Sequence, residues 1–447
     1  MLDGQVSGYY FRNFINNAKA LPRYLNAKTI STGAVSALMA CTGPILVVMT
    51  VAQNGHLLPA QITSWLFGIY FFGGLIGLIV PLLTGTPIAG AWSIPSAVLL
   101  TTVITQYKFN ELIGAYLIAG AIIFLIGIFG LFDKLLARLP MELVMAMIAG
   151  SLIHFATDMI KSVDAQPLVG SLTILTYFVF TKYFVKIPPI IGALAVSLIL
   201  SLFFGQPIAF PDFSFQWPSL WFPEFNFSTM LAISIPIAIM TLGCEGAQGI
   251  SVAQSAGYKP PVNLITMING LGTMLASMFG AHSACIAGMM TALCCSKEVG
   301  EKDGRYAAAW FSGVLMCIFG LSASIALSFI LLMPPALMKL IAGLALIYVI
   351  LSSLQRSFHG RQFQLGAFFS LTIALSGINF FGIGSTFWAL AGGWAVSWFM
   401  EKRTSRNTLY QLSIKARLMM LSHRSYNCLP TKGIRCQTNY FDEQCNL

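Results

Sequence analysis

Gly85-Thr-Pro-Ile-Ala-Gly-Ala-Trp-Ser-Ile-Pro-Ser-Ala97 breaks a long apolar region without introducing a charge. Pro87 and Pro95 each push the residue before them out of the helical region. Pro95 suits the first turn of a helix, where its missing N–H is harmless, and Ser93 then falls at the N-cap. The stretch predicts an extended entry followed by a half-helix. A second stretch has the same character: Phe279-Gly-Ala-His-Ser-Ala-Cys-Ile-Ala-Gly288. Here Gly280, His282 and Ser283 precede an apolar helix, with Ser283 the expected cap.

The chain around these breaks is 447 residues long, 57% hydrophobic and 9% charged, with mean hydropathy +0.78. Soluble domains carry about 25% charged residues, so this is an all-α polytopic membrane protein. A span needs about 20 apolar residues. That ruler gives segments at 31–53, 60–83, 110–132, 140–160, 167–185, 187–205, 229–253, 261–280, 306–332, 336–354, 362–380 and 383–400. The broken pieces, 86–104 and 282–296, bring the count to about fourteen.

Charge placement agrees with that count. With the N-terminus inside, the inner loops hold Lys134, Arg138, Lys182, Lys186, Lys259, Lys297, Lys302, Arg305, Arg356 and Arg361. The outer side holds only Lys108, Lys161 and Lys339. This asymmetry follows the positive-inside rule and places both termini in the cytoplasm. The net charge of +10 is therefore a topology signal and points to no nucleic-acid partner. Residues 1–30 read as a cytoplasmic, interfacial segment, and residues 401–447 as a basic cytoplasmic tail. The nine cysteines show no zinc-site spacing, and cysteines in membrane segments usually act as small hydrophobes.

The segments divide seven and seven around the loop 206–228, giving repeats at 31–205 and 229–400. An odd number per repeat inverts the second relative to the first. The two broken segments are then the third and the tenth, each the third of its repeat. Paired interruptions at matching places point to a transporter's binding site. Half-helix N-termini facing each other would offer N–H groups and positive dipole ends to an anion without any Lys or Arg.

Glu245 lies deep in the apolar run Thr229–Ala253, within Gly243-Cys-Glu-Gly-Ala-Gln-Gly249. A charge in hydrocarbon costs a few kcal/mol or more, so such an acid is a functional candidate. Desolvation disfavours its charged form, which suits reversible protonation. Gln248 shares its helix face. The glycines at 243, 246 and 249 predict close helix packing. The substrate-binding candidates are Trp92, Ser93, Ile94, Ser96, Gln248, His282, Ser283, Ala284 and Cys285, with Glu245 for proton coupling. Trp92 could stack on a planar substrate, and His282 could gate it or share its proton.

The chain resembles the BenE-type benzoate–proton symporters over about residues 30–400. The clearest stretches are Thr86-Pro-Ile-Ala-Gly-Ala-Trp-Ser-Ile-Pro-Ser-Ala-Val-Leu-Leu100 and Gly249-Ile-Ser-Val-Ala-Gln-Ser-Ala-Gly-Tyr-Lys-Pro-Pro-Val262. Ala342-Gly-Leu-Ala345 and Gly382-Ile-Gly-Ser-Thr-Phe-Trp388 extend the likeness. The resemblance implies the fold shared with nucleobase–ascorbate and sulfate-type transporters. In that fold a core domain (31–132 and 229–332) moves against a gate domain (140–205 and 336–400), often within a homodimer. It implies a substrate seat between the two broken segments and the helix of Glu245. The chain departs from the family at Glu245, where Gln is common. An acid there is similar to the nucleobase transporters, which use it to bind ring N–H groups.

The resulting expectation is a secondary transporter in a bacterial inner membrane, taking up an aromatic carboxylate such as benzoate with protons. The alternatives are a nucleobase–proton symporter and an anion exchanger or channel without proton coupling. No nucleophile–base set, metal cluster or nucleotide loop stands out, so neither an enzyme nor a cofactor is expected.

Overall fold

The computed structural model describes residues 4–138, 140–184, 188–204, 215–331, 333–360, 362–378, 380 and 383–401. The expected basic tail beyond 401 and the first part of the 206–228 loop lie outside the described residues.

Helix stands at each expected segment. Among the described residues, seven helices are long and apolar enough to cross a membrane on their own: Ala27–Asn54, Pro59–Thr84, Phe109–Ile128, Met141–Ala165, Phe227–Ser255, Lys302–Leu321 and Pro335–Phe358. The others are shorter, and two are the half-helices of the broken segments. The N-terminal stretch is a helix of its own, α1 (Gly4–Tyr24). α2 (Ala27–Asn54) bends at Thr42, just before Pro44, a common cause of a kink. α3 (Pro59–Thr84) follows.

The first broken segment is an extended run with a short strand, β1 (Gly90–Ala91), and then the half-helix α4 (Ile94–Leu100). After it come α5 (Phe109–Ile128), α6 (Met141–Ala165), α7 (Pro167–Tyr183) and α8 (Pro189–Phe204). The second repeat opens with α9 (Phe227–Ser255) and α10 (Val262–Ser277). Its broken segment is β2 (Cys285–Ile286) followed by α11 (Gly288–Cys295). Then come α12 (Tyr306–Leu321), α13 (Ala323–Leu331), α14 (Pro335–Phe358), α15 (Gln364–Ser376) and α16 (Ser385–Val396).

The two broken segments meet. β1 and β2 pair antiparallel, Gly90 opposite Ile286 and Ala91 opposite Cys285. Unwound backbone away from water must satisfy its N–H and C=O groups within the protein, and each strand does this for the other. Both runs begin at a left-handed glycine, Gly85 (φ 65°) and Gly280 (φ 80°), a conformation costing other residues roughly 1 kcal/mol or more. Ser93 caps α4, its Oγ accepting the Ser96 N–H at 3.3 Å. Ser283 does not cap α11. Because residues 285–286 pair as strand, the helix starts only at Gly288, with Ala287 at its N-cap and no side-chain cap.

Packing sorts the helices. α5 lies along α10, while α12 packs on α2 and α3. α6 lies along α14 and α15, α7 on α8, and α15 on α16. α14 also touches the second part of α2. Small residues allow the close approaches that hold helices together in lipid. Gly74 and Gly77 of α3 face Gly313 of α12, and Gly73 faces the Ala91 carbonyl of β1.

Candidate functional site

α9 is not a uniform α-helix. It takes π-helical turns at Met230–Ser234 and Thr241–Gly246. Such turns are rare and cluster at functional sites, and the second one carries Glu245. The Glu245 Oε2 accepts the Gly288 N–H at 3.2 Å, and the Ile94 N–H faces the same carboxylate. One acid thus meets the first residue of both half-helices. Of the three glycines around it, only Gly249 makes a close approach: a Cβ there would lie 3.0 Å from Ile286 Cδ1. A Cβ on Gly243 would meet nothing nearer than 3.6 Å. The glycine spacing therefore accompanies the π turn rather than a tight helix pair.

Glu245 opens on a small cavity of about 40 Å3. Ala91, Trp92, Ile94, Ala287, Met289 and Met290 supply one part of its wall, and Met39, Ala40 and Pro44 of α2 the other. Glu245 is the single ionisable residue among them, and no Lys or Arg lines the space. The polar end is the start of α11. Its Gly288 N–H goes to Glu245, and no protein acceptor among the described residues takes the N–H of Met289 or Met290. α4 differs, because Ile94 N–H faces Glu245, Pro95 has none and Ser96 N–H goes to its cap. Of the two half-helices, α11 is the one that keeps free donors at the cavity.

The remaining sequence candidates divide by place. Trp92 is nearly buried (3% exposed). It stands edge-on to Tyr70 and His282 at 6.2 and 5.6 Å between centroids. Ser93, Ser96, Ser283, Ala284 and Cys285 are fully buried behind the cavity. Ser93 N–H goes to Ser283 Oγ at 3.0 Å, and Ala284 N–H to Thr273 Oγ1 at 3.2 Å. Gln248 leans over α11, where a Cβ on Gly288 would fall 2.5 Å from its side chain.

His282 does not face the cavity. Its Nδ1 accepts the Trp65 Nε1–H at 3.0 Å. Accepting there leaves the proton on Nε2, which sits 3.0 Å from the Ser93 carbonyl and donates to it. The imidazole therefore ties α3 to the Trp92–Ser93 corner. Sequence reasoning missed Trp65. It also missed Asn269, whose Oδ1 accepts the Ile286 N–H at 3.1 Å, and Thr291, whose Oγ1 accepts the Ala89 N–H at 3.1 Å. Asn269 and Thr273, four residues apart in an apolar helix, were a visible signal of a shared polar face. The methionines of the cavity gave none.

The family model described as benzoate membrane transport protein (BenE) matches residues 24–399. Inner membrane protein YdcO of Escherichia coli (strain K12) is 30% identical over 369 residues, covering 82% of this chain and 94% of that one. The benzoate membrane transport protein of Acinetobacter baylyi is 27% identical over 377 residues, covering 84% and 95%. Among solved structures, SLC26A9 superposes with a TM-score of 0.61 at 14% identity, over 86% of this chain and 67% of that one. At that identity the likeness shows the fold alone. Matched over most of its length, with two broken segments meeting at one buried acid, the chain belongs to the BenE family of benzoate membrane transport proteins.

Proposed function

We propose that this transporter moves an aromatic carboxylate, benzoate first among them, together with a proton. The observation behind this reading is the cavity itself. Its walls are indole, thioether and aliphatic, which suit a ring, and its polar end pairs one carboxyl with the open start of α11. A benzoate-like acid, with pKa of roughly 4, is an anion at neutral pH. Its carboxylate would meet the Met289 and Met290 N–H groups, where the helix dipole favours negative charge. Ionised, Glu245 would repel that anion from a few ångströms away. Protonated, it is neutral and can donate a hydrogen bond. Anion and proton then enter as a pair.

For alternating access, α2–α5 with α9–α13 would form the core and α6–α8 with α14–α16 the gate. The packing pairs support that division. The name of the Acinetobacter relative supports benzoate.

A second reading has one observation in its favour. Glu245 faces the cavity, where an ionised acid could accept ring N–H groups of a nucleobase. An anion exchanger or channel without proton coupling is a third. Uptake of labelled benzoate into vesicles, competed with unlabelled uracil and xanthine, separates the first two. Benzoate accumulation that nucleobases leave untouched supports our reading. Nucleobase accumulation with benzoate ignored would make Glu245 a substrate ligand instead.

A further inference from the structure

We infer that α1 is a docking element for acidic phospholipids, whose headgroup phosphates bind a stripe formed by Arg12, Lys19 and Arg23. The three residues are exposed and recur at spacings of seven and four. On a helix that places them within an arc of about 40°. Residues 4–24 contain no Asp or Glu, and none of the three cations makes an ion pair among the described residues. On one flank of the stripe stand Phe11 (65% exposed) and Ile15, on the other Tyr9 (62% exposed). A basic stripe between apolar and aromatic edges is the pattern of a helix lying in the headgroup layer. The chain places it there, since only Leu25 and Asn26 separate Tyr24 from the spanning helix α2.

The opposite face of α1 is held to the protein. The Asn17 Nδ2–H donates to the Leu82 carbonyl at 2.8 Å, and the Tyr306 hydroxyl donates to the Asn17 carbonyl at 2.8 Å. Leu21 is buried in a cluster with Leu82, Tyr306 and Ala307. These contacts join α1 to the last turn of α3 and the first of α12. Leu82 lies three residues before Gly85, where the first broken segment begins. A lipid held on the outer face therefore braces the helix end from which the site's backbone emerges. This docking stands whether or not the transport reading above is right.

The test uses the full chain in nanodiscs of phosphatidylcholine alone or with phosphatidylglycerol added. Amide hydrogen exchange is read across residues 4–24. Each basic residue near an acidic surface favours the docked state roughly fivefold, so three together favour it up to about a hundredfold. We expect α1 to exchange more slowly in the acidic discs, the difference shrinking in high salt. Arg12→Gln/Lys19→Gln/Arg23→Gln should abolish the difference, and Arg12→Lys/Arg23→Lys should keep it. Equal exchange of the unaltered protein in the two kinds of disc overturns the inference without recourse to any variant. Slowing in the triple Gln variant as large as in the unaltered protein overturns it too.

Discussion

Glu245 Oε2 lies 3.2 Å from the Gly288 nitrogen, so the acid of α9 rests on the first residue of α11. The Ile94 N–H faces the same carboxylate. The protonation state of one side chain therefore sets the charge beside the open start of α11, at Met289 and Met290.

A first consequence concerns pH. Protonating Glu245 removes a negative charge next to the proposed carboxylate seat, so affinity for the benzoate anion should rise as pH falls. The rise levels off once Glu245 is fully protonated, and binding falls near pH 4, where benzoate itself takes up a proton. Glu245→Gln is neutral at every pH and should bind the anion with little pH dependence above that point. Equilibrium binding of labelled benzoate across the range checks both slopes. Unchanged pH dependence in Glu245→Gln would remove Glu245 from the account.

His282 should behave as a positioning residue. His282→Phe leaves the Trp65 N–H buried without a partner, at about 1–3 kcal/mol, and takes from the Ser93 carbonyl one of its two donors, the other being the Ala97 N–H. The melting temperature should fall and the apparent KM rise. His282→Gln can still accept and donate, and should recover part of both. Neither variant should shift the pH profile of uptake, because the imidazole is fixed as one neutral tautomer. A shifted profile would return His282 to the proton path.

Gly73 should tolerate no side chain. A Cβ there runs into the Ala91 carbonyl of β1, and strand and helix must part, at roughly 1–3 kcal/mol by the usual cost of overpacking. Gly249→Ala meets only the movable end of Ile286 and should cost under about 1 kcal/mol. Thermal unfolding in one detergent ranks the two. Equal losses would mean that the strand crossing is not rigid.

Arg305 closes the far end of α11. It donates from Nη1 to the Cys295 carbonyl at 2.9 Å and from Nε to the Gly300 carbonyl at 3.0 Å. A cation at a helix C-terminus also complements the dipole. Arg305→Gln should destabilise by about 1–2 kcal/mol, with Arg305→Lys losing less. Melting temperatures of the two variants check this.

What the sequence made legible follows from proline, glycine and charge. Pro95 and Ser93 marked the start of α4, and an acid in an apolar run marked the site. The antiparallel crossing was not legible, because two-residue strands are too short to show a period. The cap of α11 was misread for the same reason: Ser283 sits where a helix could begin, but pairing at 285–286 delays it to Gly288. The π turn at Thr241–Gly246 shifts the helix's hydrogen-bond ladder by one residue, which composition does not record. The place of His282 depends on Trp65, 217 residues away in the chain, which no local pattern announces.

The most direct test of the central claim is accumulation of labelled benzoate in vesicles under an imposed pH gradient, for the unaltered protein and Glu245→Gln. With one proton per substrate, each unit of gradient should drive about tenfold accumulation. Glu245→Gln should lose that accumulation while still exchanging internal for external benzoate. Gradient-driven accumulation that survives in Glu245→Gln, or that never occurs in the unaltered protein, would contradict proton coupling at this acid.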